Sequence, residues 1–238
     1  MPAPTGLVAT ITASVSNDGA QLSEIKNLEK YDGFTFNPSI FKKLGAKDYL
    51  EFTKEIIKET KDKPLSIEVI ADDEDSCFKQ AKIISKLNNN IFVKIPITYT
   101  NGKTTKNLIK KLVNESIKLN ITAIFTLNQI KEIISEVQSS DHILSIFSGR
   151  LYDIGLDAGE IFKTISNFVH ENSKCETLWA SCRMAYDLIT AEKSNADIIT
   201  MTPSLAKKVK NFGKTPEEFS LDTVKTFYND AKDSGFKF

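Results

Sequence analysis

Two short apolar runs of this sequence each contain a residue that could take part in chemistry. Lys94 lies in the run IFVKIPI at 91–97, and Glu68 lies in the run LSIEVI at 65–70. Removal from water favours the neutral form of an amine, and a neutral amine is the form that attacks a carbonyl carbon. A single lysine in such a run is more often an edge residue whose ammonium reaches solvent. Whether Lys94 is a nucleophile therefore depends on the residues around it.

Polar residues alternate with apolar ones in several of these runs. Successive side chains of a strand point to opposite faces, so each alternation predicts that the polar residues share one face. Buried polar groups without partners cost roughly 1–3 kcal/mol each, and a common water-filled, ligand-binding centre avoids this cost. The predicted inner face holds Thr35, Asn37, Ser66, Glu68, Lys94, Asn120, Thr122, Ser145, Phe147, Trp179, Ser181 and Arg183.

Eight apolar runs of strand length alternate with segments of helical spacing. This alternation predicts parallel strands joined by crossover helices, and eight units in 238 residues favour a single (β/α)8 barrel, of the α/β class, over an open sheet. No linker divides the chain, so we expect one catalytic domain over residues 1–238. The predicted strands are Ala9–Ser16, Gly33–Asn37, Leu65–Ile70, Ile91–Ile97, Leu119–Phe125, His142–Ser148, Thr177–Cys182 and Ala196–Met201. The predicted helices are Phe41–Lys61, Glu74–Leu87, Lys106–Ser116, Leu127–Val137, Ala158–Glu171, Met184–Lys193, Ser204–Phe212 and Leu221–Ser234.

The composition argues against several classes of partner. The 31 basic residues balance 31 acidic ones, so we expect neither nucleic acid nor a membrane as partner. No apolar run reaches the ~18 residues that span a bilayer. Cys77, Cys175 and Cys182 have the spacing of neither a zinc site nor a redox pair, so we expect reduced thiols in a cytoplasmic protein. With only two histidines, a His-rich metal site has little to work with.

Eight segments occur in the order of the motifs of a known enzyme family. They are NDGA at Asn17–Ala20, GFTFNPSI at Gly33–Ile40, SIEV at Ser66–Val69, VKIPIT at Val93–Thr98, LNITAIFTLNQ at Leu119–Gln129, SIFSGRLYD at Ser145–Asp153, WASCR at Trp179–Arg183 and ADIITMTP at Ala196–Pro203. In these segments the chain resembles the transaldolase family over nearly its whole length. The resemblance implies a barrel of the class I aldolase type, with no metal and no organic cofactor.

By this resemblance four residues carry out the chemistry. Lys94 matches the lysine that forms a Schiff base with the sugar. Asp18 matches the acid/base that handles the hydroxyl proton during carbon–carbon cleavage. Glu68 and Thr122 match the pair that holds the catalytic water. From the residues alone, Asp18 could equally be a turn residue or a helix N-cap, and Glu68 could be a structural partner of a buried cation.

The resemblance also implies how the substrate is bound. Asn37, Asn120 and Ser145 match residues that bind the dihydroxyacetone unit. By strand alternation we expect Phe147 to share the inner face with Ser145, beside the catalytic water. Ser181, Arg150 and Arg183 match the phosphate site, for which guanidinium groups are suited. From the residues alone, Arg150 and Arg183 would usually be surface residues that form ion pairs.

Two activities remain open by resemblance. Glu68 and Phe147 stand where fructose-6-phosphate aldolase has Gln and Tyr, which favours transfer of a three-carbon unit between sugar phosphates in the pentose phosphate pathway. The alternatives are simple aldol cleavage or addition on a related sugar, and a sugar-phosphate binding protein without catalysis. We expect sugar phosphates as partners, and a homo-oligomer is compatible with the sequence.

Overall fold

The computed structural model describes residues 10–14, by their backbone alone, and residues 32–60 and 63–237. In these ranges eight parallel strands form a closed barrel in chain order, with β8 paired to β1. The strands are β1 (Thr10–Ser14), β2 (Gly33–Phe36), β3 (Leu65–Glu68), β4 (Ile91–Pro96), β5 (Leu119–Ile124), β6 (Ile143–Ile146), β7 (Glu176–Trp179) and β8 (Ile198–Met201). The predicted (β/α)8 barrel is confirmed, and each strand lies within or one residue from its predicted run.

Helices follow the strands along the chain. They are α1 (Pro38–Lys43), α2 (Tyr49–Thr60), α3 (Glu74–Ser85), α4 (Lys106–Asn114), α5 (Leu127–Val137), α6 (Ser148–Asp153), α7 (Ala158–Asn172), α8 (Asp187–Lys193), α9 (Pro203–Lys208) and α10 (Pro216–Ser234), with a 3₁₀ turn at Val209–Asn211. The prediction of one helix over Phe41–Lys61 was wrong, because Gly45 adopts a φ of +79° and ends the first segment. Helix α6 was not predicted.

The barrel has two apolar layers of unequal size. Side chains that point outward from the strands, such as Ile67, Val93 and Ile121, pack with the helices in the main core. A small inner cluster of Ile143, Leu178, Ala180 and Ile198, with Phe92 against it, lies inside the barrel. Because little of the interior is apolar, polar residues on the inner face have room to surround a cavity.

The predicted inner face is wrong in one strand. Trp179 is fully buried and packs against the rings of Tyr152 on α6 and Phe162 on α7, so it points outward. Leu178 and Ala180 take the inner positions instead. Strand alternation placed residues 179, 181 and 183 on one face. The alternation does not continue, because β7 ends at Trp179 and the backbone turns at Ser181 with a φ of +66°.

The C-terminal helix α10 lies apart from the core. It begins five residues earlier than predicted, at a capping box in which the Thr215 side chain accepts from the Glu218 N–H. It ends before Gly235, which adopts the left-handed conformation. None of its residues is buried. The preceding helix α9 contacts β8 and β1 instead.

Among the residues described, no helix is long and apolar enough to cross a membrane. No cluster of histidine, cysteine and carboxylate side chains with metal-binding geometry occurs within these same ranges. Cys77, Cys175 and Cys182 are buried as separate thiols.

Candidate active site

A cavity of about 420 Å³ opens at the ends of the strands that face the βα loops. Barrel enzymes have their active sites at this end. The residues around it that sequence analysis selected are Asn37, Lys94, Thr122, Ser145, Phe147, Arg150, Ser181 and Arg183. Glu68 and Asn120 contact members of this set, whereas Asp18 lies outside the described residues. The strands therefore bring together the predicted site residues that the structure describes.

Lys94 and Glu68 form a close pair on neighbouring strands. The register of β3 and β4 places the two residues side by side, and Lys94 Nζ lies 3.4 Å from Glu68 Oε2. Their side chains are 8% and 17% exposed. The phenol of Tyr49 on α2 donates a hydrogen bond to the backbone carbonyl of Glu68, and burial together with the Glu68 charge raises the pKa of that phenol. The lysine is thus no edge residue, because its amine is enclosed beside a carboxylate.

A chain of buried hydrogen bonds at the cavity wall links residues on three strands. Ser145 Oγ on β6 donates to Asn120 Oδ1 on β5 at 2.6 Å, and Asn120 Nδ2 donates to Ser66 Oγ on β3 at 3.0 Å. The chain fixes which end of the Asn120 amide faces Ser145. Because Asn120 pairs with Lys94 in the strand register, its oriented amide lies beside the lysine.

Two buried hydroxyl groups on the cavity wall have no hydrogen-bond partner among the residues that the structure describes. Thr35 Oγ1 and Thr122 Oγ1 are enclosed, and neither makes a hydrogen bond within the described part of the chain. A bulge follows Thr122, where Ala123 adopts a φ of +58° and the pairing of β5 with β6 shifts. Unpaired hydroxyls are costly to bury unless a water or ligand satisfies them. Both are therefore suited to hold such a group near Lys94.

Two arginines lie on the opposite side of the cavity from β2. The Arg150 guanidinium stacks over the Phe147 ring, 5.2 Å from its centroid. Arg183 Nε donates to Asp153 Oδ1 at 2.9 Å, and its Nη1 donates to the carbonyl and hydroxyl of Ser181 at 3.2 and 3.1 Å. The hydrogen bonds between Arg183 and Asp153 raise the pKa of the guanidinium and lower the pKa of the Asp153 carboxyl. The ion-pair alternative is thus realised for Arg183, and it does not exclude a ligand because the side chain still lines the cavity.

The loop with Arg183 is fixed by a close approach and by a buried carboxylate. A Cβ on Gly149 would lie 1.6 Å from the Ser181 carbonyl oxygen, so only glycine fits at this contact between α6 and the loop after β7. Asp187 is 1% exposed and accepts from the backbone N–H groups of Arg183 and Met184 at 2.6 and 3.1 Å. Burial, with Asp187 adding to it, raises the pKa of the Cys182 thiol.

Five polar residues that line the cavity had no functional role assigned from the sequence, and they are Thr35, Ser39, Lys43, Thr200 and Thr202. Thr35 had been placed on the inner face by alternation, and Thr200 and Thr202 lie two residues apart at the end of β8, so the same alternation would have found them. Ser39 and Lys43 belong to α1, which was not predicted as a separate helix.

A parallel eight-stranded barrel with an enclosed lysine–carboxylate pair at its active-site end is typical of a barrel enzyme. The family model described as transaldolase/fructose-6-phosphate aldolase matches residues 15–238. A "Probable transaldolase" of Ruegeria sp. (strain TM1040) is 33% identical over 218 residues, 91% of this chain and 94% of that protein. One of Thermoplasma volcanium is 35% identical over 206 residues, 84% and 89% of the two chains. This chain belongs to the transaldolase/fructose-6-phosphate aldolase family.

Solved structures with little sequence similarity share the fold. A 2,3-dimethylmalate lyase superimposes with a TM-score of 0.59 at 12% identity, over 95% of both chains. A structure titled "Native KDPGal structure" gives a TM-score of 0.55 at 10% identity, over 98% of this chain and all of that one. At such identities the likeness concerns the barrel alone.

Proposed function

We propose that this protein is a transaldolase that moves a three-carbon dihydroxyacetone unit from a ketose phosphate to an aldose phosphate. The observation that supports this most is the enclosed Lys94 amine beside Glu68, at the foot of a cavity whose rim holds Arg150 and Arg183. Sedoheptulose 7-phosphate or fructose 6-phosphate would be the donor. The reaction would belong to carbohydrate metabolism, in the pentose phosphate pathway.

The first step is formation of a Schiff base at Lys94. The neutral amine attacks the ketose carbonyl carbon, and loss of water from the resulting carbinolamine leaves a protonated imine. Glu68 lies within 3.4 Å of the amine and can exchange protons with it, and the unpaired Thr122 hydroxyl can hold the departing water. The Asn120–Ser145 hydrogen bond fixes both side chains, and we expect them to contact the hydroxyls of the bound unit.

Carbon–carbon cleavage follows, because the imine accepts the electrons of the broken bond. A base removes the proton of the C4 hydroxyl, the C3–C4 bond breaks, and an aldehyde leaves while the remaining three carbons form an enamine. We assign this base to Asp18 from the family resemblance. The enamine then attacks the acceptor aldehyde, whose oxygen takes up the proton, and water releases the new ketose from Lys94.

The balance between transfer and release depends on water at the imine. Phe147 lines the cavity and packs against the Phe125 ring at 5.8 Å, and its phenyl group offers water no hydrogen bond. A dry wall slows hydrolysis of the three-carbon intermediate, so the intermediate persists until an acceptor arrives. Simple aldol cleavage is the second candidate, since the matching family model covers both activities.

A rate comparison tests the proposal against the second candidate. Consumption of fructose 6-phosphate would be followed at saturating erythrose 4-phosphate and with none, with glyceraldehyde 3-phosphate and free dihydroxyacetone as the measured products. Transfer predicts much faster consumption with the acceptor and little free dihydroxyacetone. Equal release in both conditions would favour the aldolase, and no turnover with any ketose phosphate would favour a binding protein.

We further propose that the protein forms a homo-oligomer in which α10 packs on a second copy. Phe219, Leu221, Val224, Phe227 and Tyr228 on α10 are each at least half exposed. Leu221, Val224, Phe227 and Tyr228 follow one another at helical spacing, so they share one face of α10 and present an exposed apolar stripe there. None of the residues of α10 is buried against the described part of this chain, so the apolar stripe is available to a second copy.

Sedimentation velocity tests the oligomer. The wild type should sediment as an oligomer, and the double variant Phe227→Ser with Tyr228→Ser should shift toward the monomer. A wild-type monomer at micromolar concentration would contradict this proposal. We place the protein in the cytoplasm, since its three cysteines are buried as separate thiols, as is usual in a reducing compartment.

A further inference from the structure

The guanidinium group of Arg183 is held along two of its edges. Asp153 accepts from Nε at 2.9 and 3.1 Å through its two oxygens, and Nη2 also donates to Asp153 Oδ2. Nη1 donates to the carbonyl and the hydroxyl of Ser181. A guanidinium has five N–H donors in one plane. These contacts therefore fix the plane and leave one Nη2 hydrogen to point elsewhere.

The donor that remains has a second donor beside it. Ser181 Oγ accepts from Arg183, so its own hydroxyl proton is available to a ligand. Both residues line the cavity, together with Arg150. The carboxylate thus does not consume the arginine, because it occupies the Nε edge and leaves a donor pair at the cavity.

Asp153 is placed between the two arginines by helix α6. It is the last residue of that helix and follows Arg150 by three positions, so the two side chains lie on one face. The pKa of the Asp153 carboxyl is lowered chiefly by the hydrogen bond from Arg183, with smaller contributions from the charges of Arg183 and Arg150. Two guanidinium groups on one wall repel each other, and a carboxylate between them offsets that repulsion before a ligand binds.

We propose that Asp153 is a positioning residue of the anion site: it holds Arg183 so that one guanidinium N–H and the Ser181 hydroxyl face the phosphate group of the substrate. The inference rests on the proposed function, from which the phosphate is taken. A competing view is that Asp153 occupies the arginine as an internal anion and weakens phosphate binding. The two views predict opposite effects of removing the charge.

Binding of inorganic phosphate to the full-length enzyme, measured by calorimetry without turnover, distinguishes the views. Asp153→Asn should raise the Kd for phosphate about tenfold, even though it makes the site more positive. The guanidinium is then no longer fixed, and a charge-assisted hydrogen bond to phosphate depends on its alignment. Asp153→Glu should recover part of the affinity. Asp222→Asn is the matched control, since it removes the same charge from an exposed ion pair with Lys214; it should bind phosphate as the wild type does.

A second readout separates positioning from a loss of structure. In Asp153→Asn, KM for the phosphorylated donor should rise while kcat stays within about twofold, and dihydroxyacetone, which has no phosphate, should still be reduced onto the enzyme by borohydride as in the wild type. Unchanged or tighter phosphate binding in Asp153→Asn would overturn the inference. If Arg183→Ala binds phosphate as the wild type does, Arg183 does not bind the phosphate at all. This result differs from one in which Arg183→Ala weakens binding and Asp153→Asn does not, which would contradict only the positioning role of Asp153.

Discussion

Replacement of Ser145 by alanine should reveal how much the buried hydrogen-bond chain stabilises the site. The substitution removes the hydroxyl that donates to Asn120 Oδ1 at 2.6 Å, and Asn120 is only 1% exposed. A buried acceptor left without a donor costs about 1–3 kcal/mol. We expect the free energy of unfolding to fall by that amount. We also expect kcat/KM to fall at least tenfold, because the amide beside Lys94 is no longer oriented.

The matched control is Ser148→Ala. Ser148 is fully buried near the end of the same strand, but its hydroxyl lies 3.5 Å from the Ile146 carbonyl, beyond the usual length of such a bond. Its loss should cost well under 1 kcal/mol by the same reasoning, since little bonding is removed. Both variants would be unfolded in urea, and their free energies of unfolding would be compared once the dependence on urea concentration is shown to be the same. Equal destabilisation by the two substitutions would refute the hydrogen-bond explanation.

Three further predictions concern the rim, the pH dependence and the water. Gly149→Ala should raise KM for phosphorylated donors at least tenfold in steady-state assays, because a Cβ 1.6 Å from the Ser181 carbonyl forces the loop with Arg183 to move. His142→Asn should flatten the loss of stability between pH 7 and 5 in urea titrations, because burial lowers the pKa of His142 and its Nδ1 accepts from a backbone N–H. Phe147→Tyr should increase release of dihydroxyacetone relative to transfer, measured with and without acceptor, because a hydroxyl can orient water at the imine.

The sign for His142 follows from linkage. Its folded-state pKa lies below the ordinary value of about 6.5, so the unfolded chain binds the proton first as the pH falls. The stability is therefore complete above about pH 6.5 and declines below it. If the free energy of unfolding falls as steeply between pH 7 and 5 in His142→Asn as in the wild type, other groups cause the acid sensitivity.

An unchanged KM in Gly149→Ala would show that the loop with Arg183 does not contact the phosphate. An unchanged product ratio in Phe147→Tyr would show that the ring does not lie beside the water.

Regular alternation made most of the barrel predictable. Ser66, Lys94, Asn120 and Ser145 each stand between two apolar residues of a strand, so one rule of strand geometry was enough to place them on a common face. The same rule failed at Trp179, because β7 ends there and a residue with positive φ reverses the pattern two positions later.

Contacts between distant segments were not predictable in this way. The pairing of Arg183 with Asp153 depends on how closely α6 approaches the loop after β7, and Gly149 marks that approach only when the partner backbone is known. Two other differences had local signals that helical spacing alone does not include. The break after the first helix has a glycine, Gly45, and the start of α10 has a Thr-Pro-Glu-Glu stretch at Thr215.

Borohydride reduction in the presence of fructose 6-phosphate tests most directly whether Lys94 forms the Schiff base. Among the described residues two lysines line the cavity, Lys94 and Lys43. Lys43 is exposed on α1, whereas Lys94 is 6% exposed beside Glu68. Peptide mapping should place one three- or six-carbon adduct on Lys94. The label should disappear in Lys94→Arg, whose guanidinium stays protonated, and persist in Lys43→Arg. An adduct on Lys43 or any other lysine, or labelling that survives in Lys94→Arg, would contradict the account.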